Sequence, residues 1–242
     1  MSVFVLAHAL DPTAKAILDE AKGRGWQPQL VTFGELRRSG WSQCISEVGA
    51  SQSVVSCVQP LGAWCVVNRL GNLAVPGTAG WNGRDDEYGR AEFLALLISW
   101  LRGLGPRVID PPGGNSLLGQ SVGQWSERRL AQDCGLQPHP VFAVSRVKRA
   151  PWRGDSPSGL SGMRPVDDLA CPLIVGSEVF GTPPEVRNAC LRLAGKLGVD
   201  TLRIALAPGE EGWRFVECDR LPELTEGPAL RALADLAEAR SA

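Results

Sequence analysis

VFVLAHALDPTAKAILDEAKGRGWQPQLVTF, residues 3–33, is the stretch on which the fold turns. Val3–Ala7 is continuously apolar, as a strand buried on both faces would be. Asp11-Pro12 then reads as a helix start, with an aspartate N-cap and a proline at the first helical position, where its missing N–H costs nothing. Ala14, Ile17, Leu18 and Ala21 recur at helical spacing, and Gly23 and Gly25 stop the helix. Leu30–Phe33 reads as the next strand. Strand, helix and strand in so short a span make a right-handed βαβ unit, which implies a parallel sheet and an α/β fold.

Outward from that unit, Val54–Val58 and Cys65–Val67 are expected strands, and Phe93, Leu96, Leu97, Trp100, Leu101 and Leu104 make the apolar stripe of a helix over about 86–104. Arg107–Ile109 is a short strand ended by Pro111-Pro112. Val122–Cys134 is amphipathic and closed by Gly135, and Val141–Val144 is extended. Arg146–Ala170 has no periodicity and reads as a mobile loop. Leu173–Phe180 predicts a hairpin turning at Gly176-Ser177, and Thr182-Pro-Pro-Glu185 a capping box that opens a helix. Leu202–Ala207 and Trp213–Cys218 should pair as strands, followed by a helix over about 228–240. A boundary near Pro111–Ser121 divides the chain into 1–115 and 116–242.

The 242 residues carry a formal charge of −1, with 44% hydrophobic and 21% charged residues. That balance gives no electrostatic footprint for nucleic acid, and no apolar run reaches the ~20 residues of a membrane helix. The N-terminus lacks the basic region of a signal peptide, and the seven cysteines form no CxxC pair, so reduced thiols in a cytoplasm are expected. Two histidines leave little material for a His-based metal centre, and no GxSxG surrounds any serine.

The order of elements and their punctuation resembles the ATP-grasp superfamily, of the glutathione-synthetase-like and ribosomal-protein-modifying type. The opening strand, Asp11 and Gly25-Trp26 resemble that family's pre-grasp domain, and Trp64-Cys-Val-Val-Asn-Arg69 its strand ending in a polar pair. Tyr88, Glu92 and Trp100-Leu101 ahead of Val108-Ile-Asp-Pro-Pro112 resemble the helix and strand before the nucleotide-binding part. Ala131, Gly135-Leu136, Pro138, Pro140 and Val141 resemble the entry to that part, and Leu193–Val199, Leu202–Leu206 and Phe215-Val-Glu-Cys-Asp219 its closing elements. The resemblance implies a Rossmann-like parallel sheet domain followed by a reduced ATP-grasp-like α+β remnant.

Departures from the family pattern define the candidate site. The family holds ATP phosphates with lysines, because phosphoryl transfer depends on charge neutralisation. The first such lysine falls on Gln124, and the first metal carboxylate on Ala205. The interval from Val141 to the hairpin is short, so most of the lid subdomain is expected to be missing, with the loop 146–170 in its place. Glu217 and Asp219 remain, two apart on one strand and therefore on one face, as candidate magnesium ligands, with pairing to Arg220 or Arg214 as the alternative. Asn68, Arg69, Gln124, Arg146 and Lys148 are the candidate cofactor-binding residues. For Asn68-Arg69 the alternative is a strand-end cap and a surface charge. For the cationic run Arg146, Lys148, Arg149 and Arg153 it is a solvated face.

No residue stands out as catalytic. The expectation is a non-catalytic binding or scaffold protein that partners a biosynthetic or peptide-modifying enzyme, either as a homodimer or with a second protein. Its ligand would be a peptide or a small-molecule carboxylate. The alternative is a minimal ATP-dependent carboxylate–amine ligase using ATP and Mg, whose missing cations come from a partner chain or the 146–153 loop. A small-ligand binder using the cleft around Asn68, Arg69 and Glu217 is the third possibility.

Overall fold

Alternation along the first strand sets up a sheet covered on both sides. β1 (Ser2–Leu6) is buried throughout, with Val3 and Val5 in one core and Phe4 and Leu6 in the other. It leads into α1 (Pro12–Gly23), capped by Asp11, whose Oδ1 accepts from the amides of Thr13 and Ala14. β2 (Gln27–Val31) then pairs parallel to β1. The computed structural model describes residues 1–45, 51–59, 62–71, 83–114, 116–120, 122–140 and 169–241.

The second strand starts and ends earlier than the expected Leu30–Phe33. Thr32 leaves it to cap α2 (Phe33–Arg38), accepting from the Glu35 amide while the Glu35 carboxylate accepts from Thr32. This capping box takes Phe33, expected as strand, into a helix. An antiparallel pair follows, β3 (Trp41–Ile45) and β4 (Ser51–Val55), so the strand expected over 54–58 ends at Val55. β5 (Trp64–Asn68) lies parallel to β1 on the side away from β2, α3 (Gly83–Gly103) crosses over, and β6 (Val108–Ile109) adds outside β5. The order β2-β1-β5-β6 is all parallel.

α4 (Gln124–Asp133) and β7 (Gln137–Pro138) open the second layer. The hairpin of β8 (Leu173–Val175) and β9 (Glu178–Phe180) turns at Gly176-Ser177 as expected. The helix after it does not start at Thr182. Pro184 disfavours the helical region for the residue before it, and Pro183 is extended at φ −56°, ψ 130°. A 3₁₀ turn at Pro184–Val186 intervenes and α5 (Arg187–Leu197) follows. β10 (Thr201–Gly209) and β11 (Gly212–Asp219) complete a mixed sheet of order β7-β11-β10-β8-β9. α4 and α5 cover one face of it, over Ile174, Leu202, Ile204, Leu206 and Phe215.

α6 (Gly227–Arg240) then returns to the first sheet. Ala229, Leu230, Leu233 and Ala237 pack with Val3, Val5, Cys65 and Val67 beside α1, and with Val175 of β8. Among the described residues no helix is long and apolar enough to cross a membrane. The expected strand Val141–Val144 and the loop 146–170 up to residue 168, with Arg146 and Lys148, lie outside the described residues.

The segment joining the sheets passes under the end of α5. Gly119 has φ +59°, and a Cβ there would stand 2.4 Å from the Leu197 carbonyl oxygen and 2.7 Å from Val199 Cγ1. Gly119→Ala should therefore cost about 2 kcal/mol or more, since a strained backbone and a clash with main chain act together. Urea unfolding of the two proteins would show it as a lower midpoint.

Candidate functional site

In an open α/β sheet, ligands settle beyond the carboxyl ends of the strands where the strand order reverses. Here that point lies between β1 and β5, and Asn68 and Arg69 stand at it. Both are buried, and their polar atoms are engaged within the protein. Asn68 Nδ2 donates to the carbonyls of Asp110 at 2.9 Å and Leu117 at 2.7 Å, while its Oδ1 accepts from the Leu70 amide. Arg69 Nε donates to Asp11 Oδ2 at 2.8 Å and Nη1 to the Pro222 carbonyl at 3.3 Å. Asp11 is thus both helix cap and ion-pair partner, and the crevice is filled by the protein's own side chains.

The second group of candidates lies on and around β11. Between Ala205 and Leu206 the cross-strand partner steps from Glu217 to Phe215, so Val216 is the extra residue of a β-bulge. The bulge lets Phe215 and Cys218 both serve the core under α4 and α5, and puts Glu217 and Asp219 on the opposite face. Glu217 is exposed and Asp219 half-buried. Asp219 Oδ1 accepts from the Leu221 amide at 2.9 Å, which leaves its other oxygen for a ligand. Across the ladder, Ala205 faces Glu217 and Arg203 faces Asp219. A methyl group therefore stands beside Glu217 where a carboxylate would complete a three-oxygen set. Among the described residues no group of three or more His, Cys, Asp or Glu comes together to hold a metal ion. Burial pushes the Cys218 thiol up to about 12, so it stays protonated and is no nucleophile.

Gln124 opens α4 behind an N-cap, Gly123, that makes no side-chain bond, and is exposed. One turn on, Glu127 pairs with Arg220 at 2.5 Å. Arg220 also donates to the carbonyls of Leu118 and Gln120, so it braces α4 and the joining segment. Arg128 lies on the Gln124 side of α4, and its buried Nη2 has no hydrogen-bond partner among the described residues. The structure thus separates the candidates. Asn68 and Arg69 sit at the carboxyl end of β5 in the first sheet, whereas Glu217 and Asp219 share one face of β11. Sequence reading missed Asp11 as the partner of Arg69 and Glu127 as that of Arg220. The first lies 58 positions away and the second 93, beyond any local pattern.

No family model matches the sequence, and no curated protein does. Solved structures do match in shape. The macrocyclase MdnC from Microcystis aeruginosa, bound with its precursor peptide MdnA, aligns over 99% of this chain and 100% of its own at TM-score 0.68 and 11% identity. The ATP-grasp ligase PsnB, complexed with a minimal precursor, Mg and ADP, aligns over 99% and 98% at TM-score 0.66 and 15% identity. A RiPP-associated ATP-grasp ligase from Chryseobacterium gregarium, in complex with ADP and a leader and core peptide, aligns over 100% and 97% at TM-score 0.59 and 12% identity. The chain has the ATP-grasp fold. Of these three, one is a macrocyclase and two are ATP-grasp ligases, and each was solved with a precursor or peptide.

Asn68→Ala would leave the buried carbonyls of Asp110 and Leu117 without their donor. The expected loss is about 2–4 kcal/mol of stability, read by urea unfolding with an unchanged slope. A role confined to ligand contact would leave stability where it was.

Proposed function

We propose that this chain is a peptide-binding scaffold on an ATP-grasp fold, which holds a substrate or partner for a modifying enzyme and does not itself transfer phosphate. The observation that carries the reading is the pairing of Ala205 with Glu217, together with Gln124 at the head of α4. Catalysis of phosphoryl transfer needs positive charge and a metal to neutralise the transferring group, and these positions supply neither. The precursor peptides bound to MdnC and PsnB support a peptide as the ligand class, or a small carboxylate presented like one. In this reading the chain divides near residue 115 into a pre-grasp half and a reduced grasp half with little lid, and α6 is shared between them. It works in the cytoplasm as a homodimer or with a second protein.

The residues present fit a magnesium nucleotide in part. Glu217 and the free oxygen of Asp219 could hold Mg, which would supply charge neutralisation at phosphate oxygens. A second reading, a minimal ATP-dependent carboxylate–amine ligase, is favoured by one feature. The unpartnered Arg128 Nη2 puts a guanidinium one turn along α4 from Gln124, a cation where the lysine is missing. Arg146 and Lys148 would add to it.

Calorimetric titration with MgATP decides between them. The scaffold reading expects no saturable heat from the wild-type chain, and its appearance in Gln124→Lys/Ala205→Asp. Saturable heat in the wild type, abolished by Glu217→Ala/Asp219→Ala, would establish the ligase reading instead.

A further inference from the structure

Trp125, in the first turn of α4, is 73% exposed and differs in this from the other described tryptophans. Trp41, Trp64 and Trp100 pack edge-on against aromatic rings, Trp26 lies under the Arg24 guanidinium, and Trp213 donates from its indole to Glu185. The Trp125 indole makes no ring contact and no hydrogen bond among the described residues.

Helical spacing sets what surrounds it. Leu130, Ala131 and Cys134 turn into the core over β10 and β11. Trp125, Arg128, Arg129 and Gln132 recur at i, i+3, i+4 and i+7 and share the side of α4 turned away from that core. Arg129 is exposed and makes no ion pair or hydrogen bond among the described residues. Arg128 buries its Nη2 without an acceptor among them. Of the acids on the helix, Glu127 is engaged with Arg220, and Asp133 stands at the far end with no ion pair to Arg129. Gly123 brings no side chain to the head of α4, so its first amides, at the positive end of the helix dipole, stay uncapped. An indole flanked by arginines is the composition of an interface centre, where Trp and Arg carry most of the binding energy.

We propose that this face of α4 docks an acidic peptide, with an apolar side chain packed on Trp125 and carboxylates on Arg128, Arg129 and the helix head. The proposal rests on the peptide-binding reading and gives the peptide both a place and a charge. A guanidinium nitrogen held out of water without an acceptor costs free energy, and an incoming carboxylate removes that cost. The indole offers a large, rigid contact at little cost in side-chain entropy. A second copy of the chain would bring the same cations to the face, so like charges oppose a symmetric contact there.

Fluorescence anisotropy of a dye-labelled synthetic peptide of glutamate and leucine, titrated with the full chain, tests the assignment. Saturable binding is expected, weaker as salt rises, and absent for the same peptide with lysine in place of glutamate. Trp125→Ala and Arg129→Glu should each weaken it about tenfold or more. Their urea midpoints should stay with the wild type, because both side chains are exposed. Equal binding by the wild type and both variants overturns the proposal and leaves peptide binding to another part of the chain. Failure of the acidic peptide to bind overturns it as well. So does a dimer in light scattering that Trp125→Ala splits, since the face is then a contact between copies. Saturable MgATP heat in the wild type would sink the scaffold reading and leave these outcomes readable by themselves.

Discussion

The Arg69 guanidinium is 5% exposed, held between Asp11 at the head of α1 and the Pro222 carbonyl beyond β11. A charge so far from water must be matched by an ion and by hydrogen-bond acceptors, or the fold loses several kcal/mol. Here the match draws on three distant stretches of chain, because Asp11 also caps α1 and Thr13 of that helix accepts from the Leu224 amide at 2.9 Å. Satisfying Arg69 therefore fixes the turn after β1, the end of β5 and the run that leads into α6. The placement of α6 over the first sheet, and of the second sheet beside it, follows from that fixed run.

The same constraint bears on function. The crevice at the strand reversal, where an α/β sheet commonly offers room to a ligand, is closed by an internal ion pair and an internal amide. The other polar face is that of β11, with two carboxylates opposed by an alanine and an arginine. An ATP-grasp fold is present, and fold and activity have to be argued separately.

Periodic features were legible in the sequence. The βαβ opening, the β8–β9 turn at Gly176-Ser177 and the shared face of Glu217 and Asp219 rest on short-range spacing, and local sterics enforce them. Two local signals were readable but were passed over or misassigned. Thr32 and Glu35 form a capping box that converts the end of a strand into a helix, whereas the box expected at Thr182 is spoiled by two consecutive prolines. The partners of Arg69, Asn68 and Arg220 were not legible, because burial and ion pairing there depend on contacts between segments far apart in sequence. Asp110 is the clearest instance. A polar residue ending an apolar strand before Pro111 looks like punctuation until the turn at Asp200 is brought against it.

Placing α6 in the first core has a consequence for how the chain is made. Val3, Val5, Cys65 and Val67 present one apolar face that Leu230, Leu233 and Ala237 cover. As the chain emerges from the ribosome, the four parallel strands come out first, and their cover arrives after the whole second sheet has been synthesised. The N-terminal half cannot mature by itself in the usual vectorial order. For that interval its bare face is a natural client for chaperones, and folding of the protein becomes a single late event instead of two successive ones.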